Sequence, residues 1–231
     1  MNQEFGLILF QVIVLALAFS VHESAHAYMA MRLGDPTAYM LGRVTLNPLK
    51  HLDPIGSVFL PLLALVYHWP LIGWAKPCPI TPRNFSHPRR DDILVSLAGP
   101  ASNLAMATVA LILLAIFKHV GGGPAVVAAS AVSSGFATSV DITGLPLFPG
   151  AMLLYYGVTI NLLLFVFNLI PIPPLDGSHV LRQFLPYKME QAYNRIGMIG
   201  LIVIFFFGGS LIFGTFYYPL LGVFNRVLGS L

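Results

Sequence analysis

Long apolar runs alternate with short polar connections along this chain. From Gly6 to Val21, sixteen residues pass with only Gln11 and Ser20 clearly polar, and the apolar run resumes from Ala27 to Met31. A helix from about Glu4 to Leu33 follows, roughly 45 Å long at about 1.5 Å per residue, enough to cross a bilayer. Gly34-Asp35-Pro36 ends it. A second helix is expected from Ile93 to Phe117, capped by Asp91 or Asp92 and bent at Gly99-Pro100, and a third from Gly150 to Ile170. A final uncharged stretch of 29 residues, Ile196 to Phe224, is either one kinked helix or two helices divided by Gly208, Gly209 and Pro219.

The connections carry patterns of their own. Leu41 to Pro48 has a short β-like core, and Asn47-Pro48 favours a turn. Ile55 to Leu71 is apolar but holds Pro61, His68 and Pro70. Its uninterrupted part is short for a span and fits a segment that re-enters the membrane. Gly73 to Ile80 reads as extended chain, because each proline pushes its predecessor out of the helical region. Lys118 to Pro149 reads as a loop of small residues with a surface helix. Pro171-Ile172-Pro173-Pro174 breaks the third helix and leaves Asp176 at the start of a short segment, Ser178 to Leu185. The fold class is therefore all-α and polytopic in a membrane. About 4–6 transmembrane helices are expected, with a re-entrant segment and a small extended or β element between the first two main spans. One domain is expected over 1–231, its core at about 5–180 and a C-terminal helical segment at about 188–227.

Composition agrees. The chain is 57% hydrophobic and only 9% charged, with a mean hydropathy of +0.80, whereas ordinary soluble domains carry about 25% charged residues. Twelve Lys and Arg are too few and too scattered for nucleic acid and serve instead to set topology. Cys78 is the one cysteine, which leaves neither a disulfide framework nor a cysteine zinc cluster. A cleaved signal peptide is not expected, since Met-Asn-Gln-Glu-Phe carries no positive charge. If Ile55 to Leu71 dips in and returns, Arg32, Arg43, Lys50, Lys76, Arg83, Arg89, Arg90, Arg182, Lys188 and Arg195 share one face, and only Lys118 and Arg226 lie on the other. The positive-inside rule then puts the end of the first helix toward the cytosol.

Near that end stands His22-Glu23-Ser24-Ala25-His26. Residues four apart share a helix face, so two imidazoles can hold one metal ion. Glu23 lies about 100° round the helix and can serve as general base without being a ligand. An ionisable group inside an apolar helix is costly and usually functional; the alternative is a structural polar cluster. A catalytic zinc takes a third protein ligand, for which Asp176, His51, His179 and Asp53 are candidates. Asp176 is favoured because it returns to the same side as His26. Asn168 can donate to a developing oxyanion or make an interhelical hydrogen bond; for Asn103 the interhelical bond is favoured.

Four features resemble the site-2 proteases, which are intramembrane zinc metalloproteases. They are His22-Glu23-Ser24-Ala25-His26, Gly42-Arg43-Val44-Thr45-Leu46-Asn47-Pro48, Ala98-Gly99-Pro100-Ala101-Ser102-Asn103, and Asn168-Leu169-Ile170-Pro171 running to Leu175-Asp176-Gly177. The resemblance covers roughly Val12 to His179. It implies one Zn2+ per chain on His22, His26 and Asp176, with Glu23 as catalytic acid and base and Asn168 assisting the substrate or oxyanion. Transmembrane protein substrates would be cut within the lipid bilayer near its cytosolic face, by a multi-pass integral protein of the cell membrane of a prokaryote. The extended stretches near Leu41 to Asn47 and Ile72 to Ile80 would offer a sheet edge to an unwound substrate. Leu41, Gly42 and Val44 would then be substrate contacts, as would Asn103 if it is not held between helices. The short form leaves no room for a PDZ or CBS domain, and a second copy or an accessory membrane partner would replace them. No nucleic acid is expected as a partner. The competing class is a polytopic metal transporter or non-proteolytic scaffold. A transporter calls for paired sites or an inverted repeat, and neither is evident.

Overall fold

The computed structural model describes residues 3–60, 74–133, 144–203 and 209–230. Helix α1 spans Gln3–Arg32, within two residues of the expected limits. A single turn, α2, covers Thr37–Met40. Helix α3, Pro88–Phe117, begins a turn earlier than the Asp91 or Asp92 cap implied. Pro88 fits the first helical position, where its missing N–H costs nothing, and Asp91 reaches back to accept the His87 N–H at 2.8 Å. A π-helical turn at Lys118–Gly122, in which Gly121 takes φ +98°, leads into α4, Gly123–Ser133. Helix α4 was expected on the surface, yet Ala125, Ala128 and Ala129 are buried in the main core, because side chains this small let it approach α5 closely. Helix α5 spans Phe148–Asn168, the short α6 spans Asp176–Arg182, and α7 spans Tyr187–Val203 with a break at Gly197 (φ +32°). Beyond it stand α8, Gly209–Ile212, a π-helical turn at Phe213–Tyr217, and α9, Tyr218–Ser230. How 204–208 joins the two halves of the final apolar stretch lies outside the described residues.

Three described helical stretches are long and apolar enough to cross a membrane: Gly6–Arg32, Pro88–Ser133 and Phe148–Asn168. Leu9, Ile13 and Leu17 form an exposed stripe along α1, as do Val109, Ile112, Leu113 and Ile116 on α3. Apolar side chains turned outward at helical spacing suit lipid as the solvent. Inward, α3 and α5 run antiparallel at close range. A Cβ on Gly157 would lie 3.1 Å from the Ala110 Cβ, and one on Gly150 would lie 3.4 Å from the Phe117 ring. Polar ties add specificity where water is scarce: Gln11 donates to the Tyr156 hydroxyl at 3.0 Å and the Tyr155 hydroxyl donates to Asn225 at 2.9 Å.

The expected β element is corrected. Among the described residues there is no strand. Leu41 to Asn47 does not extend, because Gly42 takes φ +66° and the Arg43 N–H turns back to the Ala38 carbonyl at 2.9 Å. Asn47 caps a short 3-10 turn, Pro48–Lys50, through the Leu49 N–H. Extended pairing shrinks to one antiparallel bridge, Leu52 with Ala75, beside a Lys76 N–H to His51 carbonyl bond of 2.8 Å. Pro54–Phe59 forms a π-helical turn capped by Asp53. Of the re-entrant segment expected over Ile55 to Leu71, residues 61–71 lie outside the described residues.

Asp35 ties the end of α1 to the segment that precedes α3. It is fully buried, and its carboxylate accepts from Thr37 N–H (3.1 Å), Thr37 hydroxyl (2.5 Å), Thr81 N–H (2.7 Å) and Asn84 Nδ2 (2.8 Å). Burial pushes its pKa up, but the hydrogen bonds from Thr37, Thr81 and Asn84 outweigh it and hold the group below its ordinary 3.8. A carboxyl lowered in this way adds stability that is fully present above the unfolded value and fades as pH falls through the folded one. Asp35→Asn should therefore lower the stability of the detergent-solubilised protein by about 1–3 kcal/mol at neutral pH. The loss should shrink below pH ~4. Thermal unfolding of both proteins across pH checks this; equal stability at pH 7 would remove Asp35 as the tie.

Candidate metal centre

Helix α1 sets His22 and His26 one turn apart on one face, each only 5% exposed. The proline-rich turn after α5 delivers Asp176 as the first residue of α6, where the helix N-terminus favours a carboxylate. The three side chains meet. His22 Nε2 and His26 Nε2 lie 3.0 Å apart, and Asp176 Oδ2 lies 3.1 Å from the first and 3.3 Å from the second. Four ligands about 2.0–2.1 Å from a zinc ion stand about 3.3–3.4 Å from one another, so these atoms form one face of such a tetrahedron. Asp176 Oδ2 is buried without a hydrogen-bond partner despite both nitrogens being near. Three lone pairs facing one another in apolar surroundings repel unless a cation lies between them. The donor set fits zinc. His26 Nδ1 lies 2.7 Å from the Val95 carbonyl, which places a proton on Nδ1 and turns the Nε2 lone pair inward.

Two glycines permit this convergence. A Cβ on Gly99 of α3 would lie 2.6 Å from Cε1 of both His22 and His26. A Cβ on Gly177 would lie 2.6 Å from the Leu169 carbonyl carbon and 2.7 Å from the Ile170 oxygen. The first glycine lets α3 press against the imidazoles; the second seats the start of α6 on the backbone that ends α5. Buried Asp92 of α3 then fastens the other end of α6, accepting from Arg182 Nη2 at 3.2 Å and Gln183 Nε2 at 2.5 Å.

Glu23 accepts a hydrogen bond of 2.8 Å from the Cys78 N–H. Pro77 and Pro79 flank Cys78, so across these three residues it offers the only backbone donor. Burial, helped by the Glu23 charge, pushes the Cys78 thiol up to about 12. The loop 43–52 folds over the same turn of α1. Ser24 donates to the Thr45 carbonyl, His51 Nε2 lies 2.8 Å from that carbonyl, and Arg43 donates to the Lys50 carbonyl at 2.5 Å.

Of the four candidates for the third ligand, only Asp176 reaches the histidines. The buried His51 belongs to the loop network just described, Asp53 caps Ile55 and Gly56 at 3.0 and 2.8 Å, and His179 Nδ1 lies 3.3 Å from Arg182. Asn168 falls level with Gly99 by the α3–α5 register, but its Nδ2 donates to Leu164 of its own helix at 3.0 Å. Asn103 is fully buried, and neither amide atom has a partner, so the expected interhelical bond is not made. Leu41 and Gly42 are exposed and Val44 is half-buried. Sequence reasoning missed the Val95 carbonyl, the Cys78 N–H and the Asp92–Arg182 tie. The alternating prolines around Cys78 were a visible signal of extended chain with a single donor; a backbone carbonyl inside a helix leaves no such mark.

Gly99→Ala should cut zinc occupancy severely, since the methyl group cannot enter without moving both rings, and Asp176→Ala should lower it as well. Elemental analysis of purified protein measures both. Near-stoichiometric zinc in either variant would contradict the arrangement.

The sequence pattern of peptidase family M50 matches residues 10–208. The candidate zinc metalloprotease YwhC of Bacillus subtilis is 39% identical over 198 residues, covering 84% of this chain and 78% of that protein. Candidate zinc metalloproteases named Rip2 are 30% identical over 188 residues in Mycolicibacterium smegmatis and 28% over 193 in Mycobacterium tuberculosis. They match 81% and 82% of this chain but only 62% and 63% of their own length, so the chain spans less than two thirds of these two relatives. No solved structure gives a significant match. With that pattern covering most of the chain, and a histidine–histidine–aspartate site set among membrane-length helices, the chain belongs to peptidase family M50, the site-2 protease family of intramembrane zinc metalloproteases.

Proposed function

We propose that this chain hydrolyses peptide bonds in or near the transmembrane helices of membrane-protein substrates, with His22, His26 and Asp176 holding one zinc ion. The convergence of these three donors beside Glu23, inside a bundle of membrane-length helices, carries the reading. When bound, the ion supplies a Lewis acid and brings the pKa of water toward about 7. Glu23 takes the proton from the attacking water and returns it to the leaving nitrogen as the C–N bond breaks. Its Oε2 is held by the Cys78 N–H, which orients the carboxylate without neutralising it. Asn168 supplies a side-chain N–H to the developing oxyanion; the substrate must first win that donor from the Leu164 carbonyl.

A substrate helix hides its carbonyls and must unwind before reaction. The extended stretch at 74–81 offers it backbone partners, and Leu41, Gly42 and Val44 lie on the adjoining loop as contacts for its side chains. The exposed Leu41, Leu46, Leu49, Ile55 and Trp74 give this region an apolar surface that suits either lipid or substrate. The charge pattern supports a cytosolic site and about 4–6 spans in all. Lys118 Nζ donates to the Leu228 carbonyl at 2.9 Å, which brings the two basic residues expected on the far face, Lys118 and Arg226, to one end of the bundle. Arg182 meets Asp92 at the other end. One catalytic domain over 1–231, in the cell membrane of a prokaryote, completes the reading.

Glu23→Gln should keep about one zinc per chain and lose cleavage of a single-span substrate by about 10²–10⁴-fold. Metal analysis and a cleavage assay run side by side on both proteins decide this. Equal rates would sink the assignment of the base; zinc in both with cleavage in neither, across several substrates, would favour a non-proteolytic scaffold.

A further inference from the structure

The two histidines are held unequally. His26 gives its Nδ1 proton to the Val95 carbonyl, while His22 Nδ1 is buried with no hydrogen-bond partner. A metal-bound imidazole almost always donates its second nitrogen to an oxygen, which fixes both tautomer and ring orientation. One side chain on the facing helix α3 has the matching deficit. Asn103 is 0% exposed, and neither its Oδ1 nor its Nδ2 has a partner.

The register of α1 and α3 brings the two toward each other. The helices are antiparallel: Val14 shares an apolar cluster with Ala107, Ala110 and Leu111, whereas Ala30 shares one with Val95. Gly99 stands at the level of both imidazoles, and Asn103 is one turn further on the same face of α3. Side chains lean toward the N-terminus of their own helix. His22 therefore leans from its Cα toward the level of Ala18, where Asn103 begins, and Asn103 leans back toward Gly99. Asn161 also has an unpartnered oxygen, but it lies on α5, its Nδ2 is taken by Gly157, and it leans the other way.

We propose that Asn103 Oδ1 accepts the Nδ1 proton of His22 through one buried water molecule, making Asn103 a positioning residue for the metal ligand. A water between them would have the two to four polar partners that a buried site requires: His22 Nδ1 and both atoms of the Asn103 amide. This rests on the zinc reading above and adds to it a reason for the asparagine in Ala98-Gly99-Pro100-Ala101-Ser102-Asn103. It also gives Asn103 an internal partner. With no exposed surface, that residue meets a substrate only after the bundle opens.

The test uses the full chain in detergent. Zinc affinity is measured by chelator competition and the ligand field by the visible spectrum of the Co2+-loaded protein, for wild type, Asn103→Leu, Asn103→Asp and Asn161→Leu. Asn103→Leu should bind zinc about 10–100-fold more weakly with altered Co2+ bands. Asn103→Asp keeps the acceptor and should bind at least as tightly as wild type, and Asn161→Leu should match wild type. If the leucine variant does not fold, Asn103→Ala is read by the same two measurements. Wild-type affinity and bands in the leucine or alanine variant would overturn the proposal, as would equal weakening by leucine and aspartate, which is what a merely structural asparagine gives. No zinc in the wild type would instead overturn the metal reading beneath it.

Discussion

Two imidazole nitrogens and a carboxylate oxygen, turned toward one point in apolar surroundings, call for a shared cation. Each lone pair has given up water, and none has gained a donor in exchange. A divalent cation removes the difficulty, and the nearby architecture exists to keep the three atoms convergent for it. Gly99 lets α3 touch the rings, Gly177 lets α6 start against the end of α5, and Asp92 with Arg182 and Gln183 keeps α6 from sliding away. The first two are constraints of close approach, which no larger residue could meet; the third is a buried carboxylate held by a guanidinium and an amide.

A second layer concerns the carboxylate beside the three converging donors. Glu23 is met by the extended chain at 74–81, which is itself fixed by Asp35 at Thr81 and by backbone bonds from Lys76 to His51 and from Trp74 to Gly56. The loop that follows α1 is thus no passive connection. It folds back over the same helical turn that carries the histidines, with Ser24 bonded to Thr45. The same short stretch of α1 turns two histidines toward Asp176 on one face and meets the loop 43–52 and the segment at 74–81 on others.

How much of this was legible in the sequence depended on the kind of force involved. The long helices were readable because hydrophobic runs of membrane length admit few alternatives; α1 and α5 fall within two residues of expectation. Asp176 was readable as well, because prolines followed by an aspartate and glycine at a helix start leave a clear pattern. The loop at Leu41 to Asn47 was misread. Its residues have β character, but Gly42 in the left-handed region and the Asn47 cap are local choices that override it. Val95 was invisible, since any residue supplies a carbonyl; only the packing of α3 on α1 reveals which one is used.

The lone cysteine has a consequence of another kind. Thiol chemistry proceeds through the thiolate, and burial pushes Cys78 up to about 12, which keeps it in the thiol form at neutral pH. Although Cys78 sits beside the acidic residue at the heart of the site, it is therefore a poor target for peroxide, alkylating agents or glutathione. Its part in the site is played by the backbone: the Cys78 N–H holds Glu23, while the side chain stays a thiol that fills space.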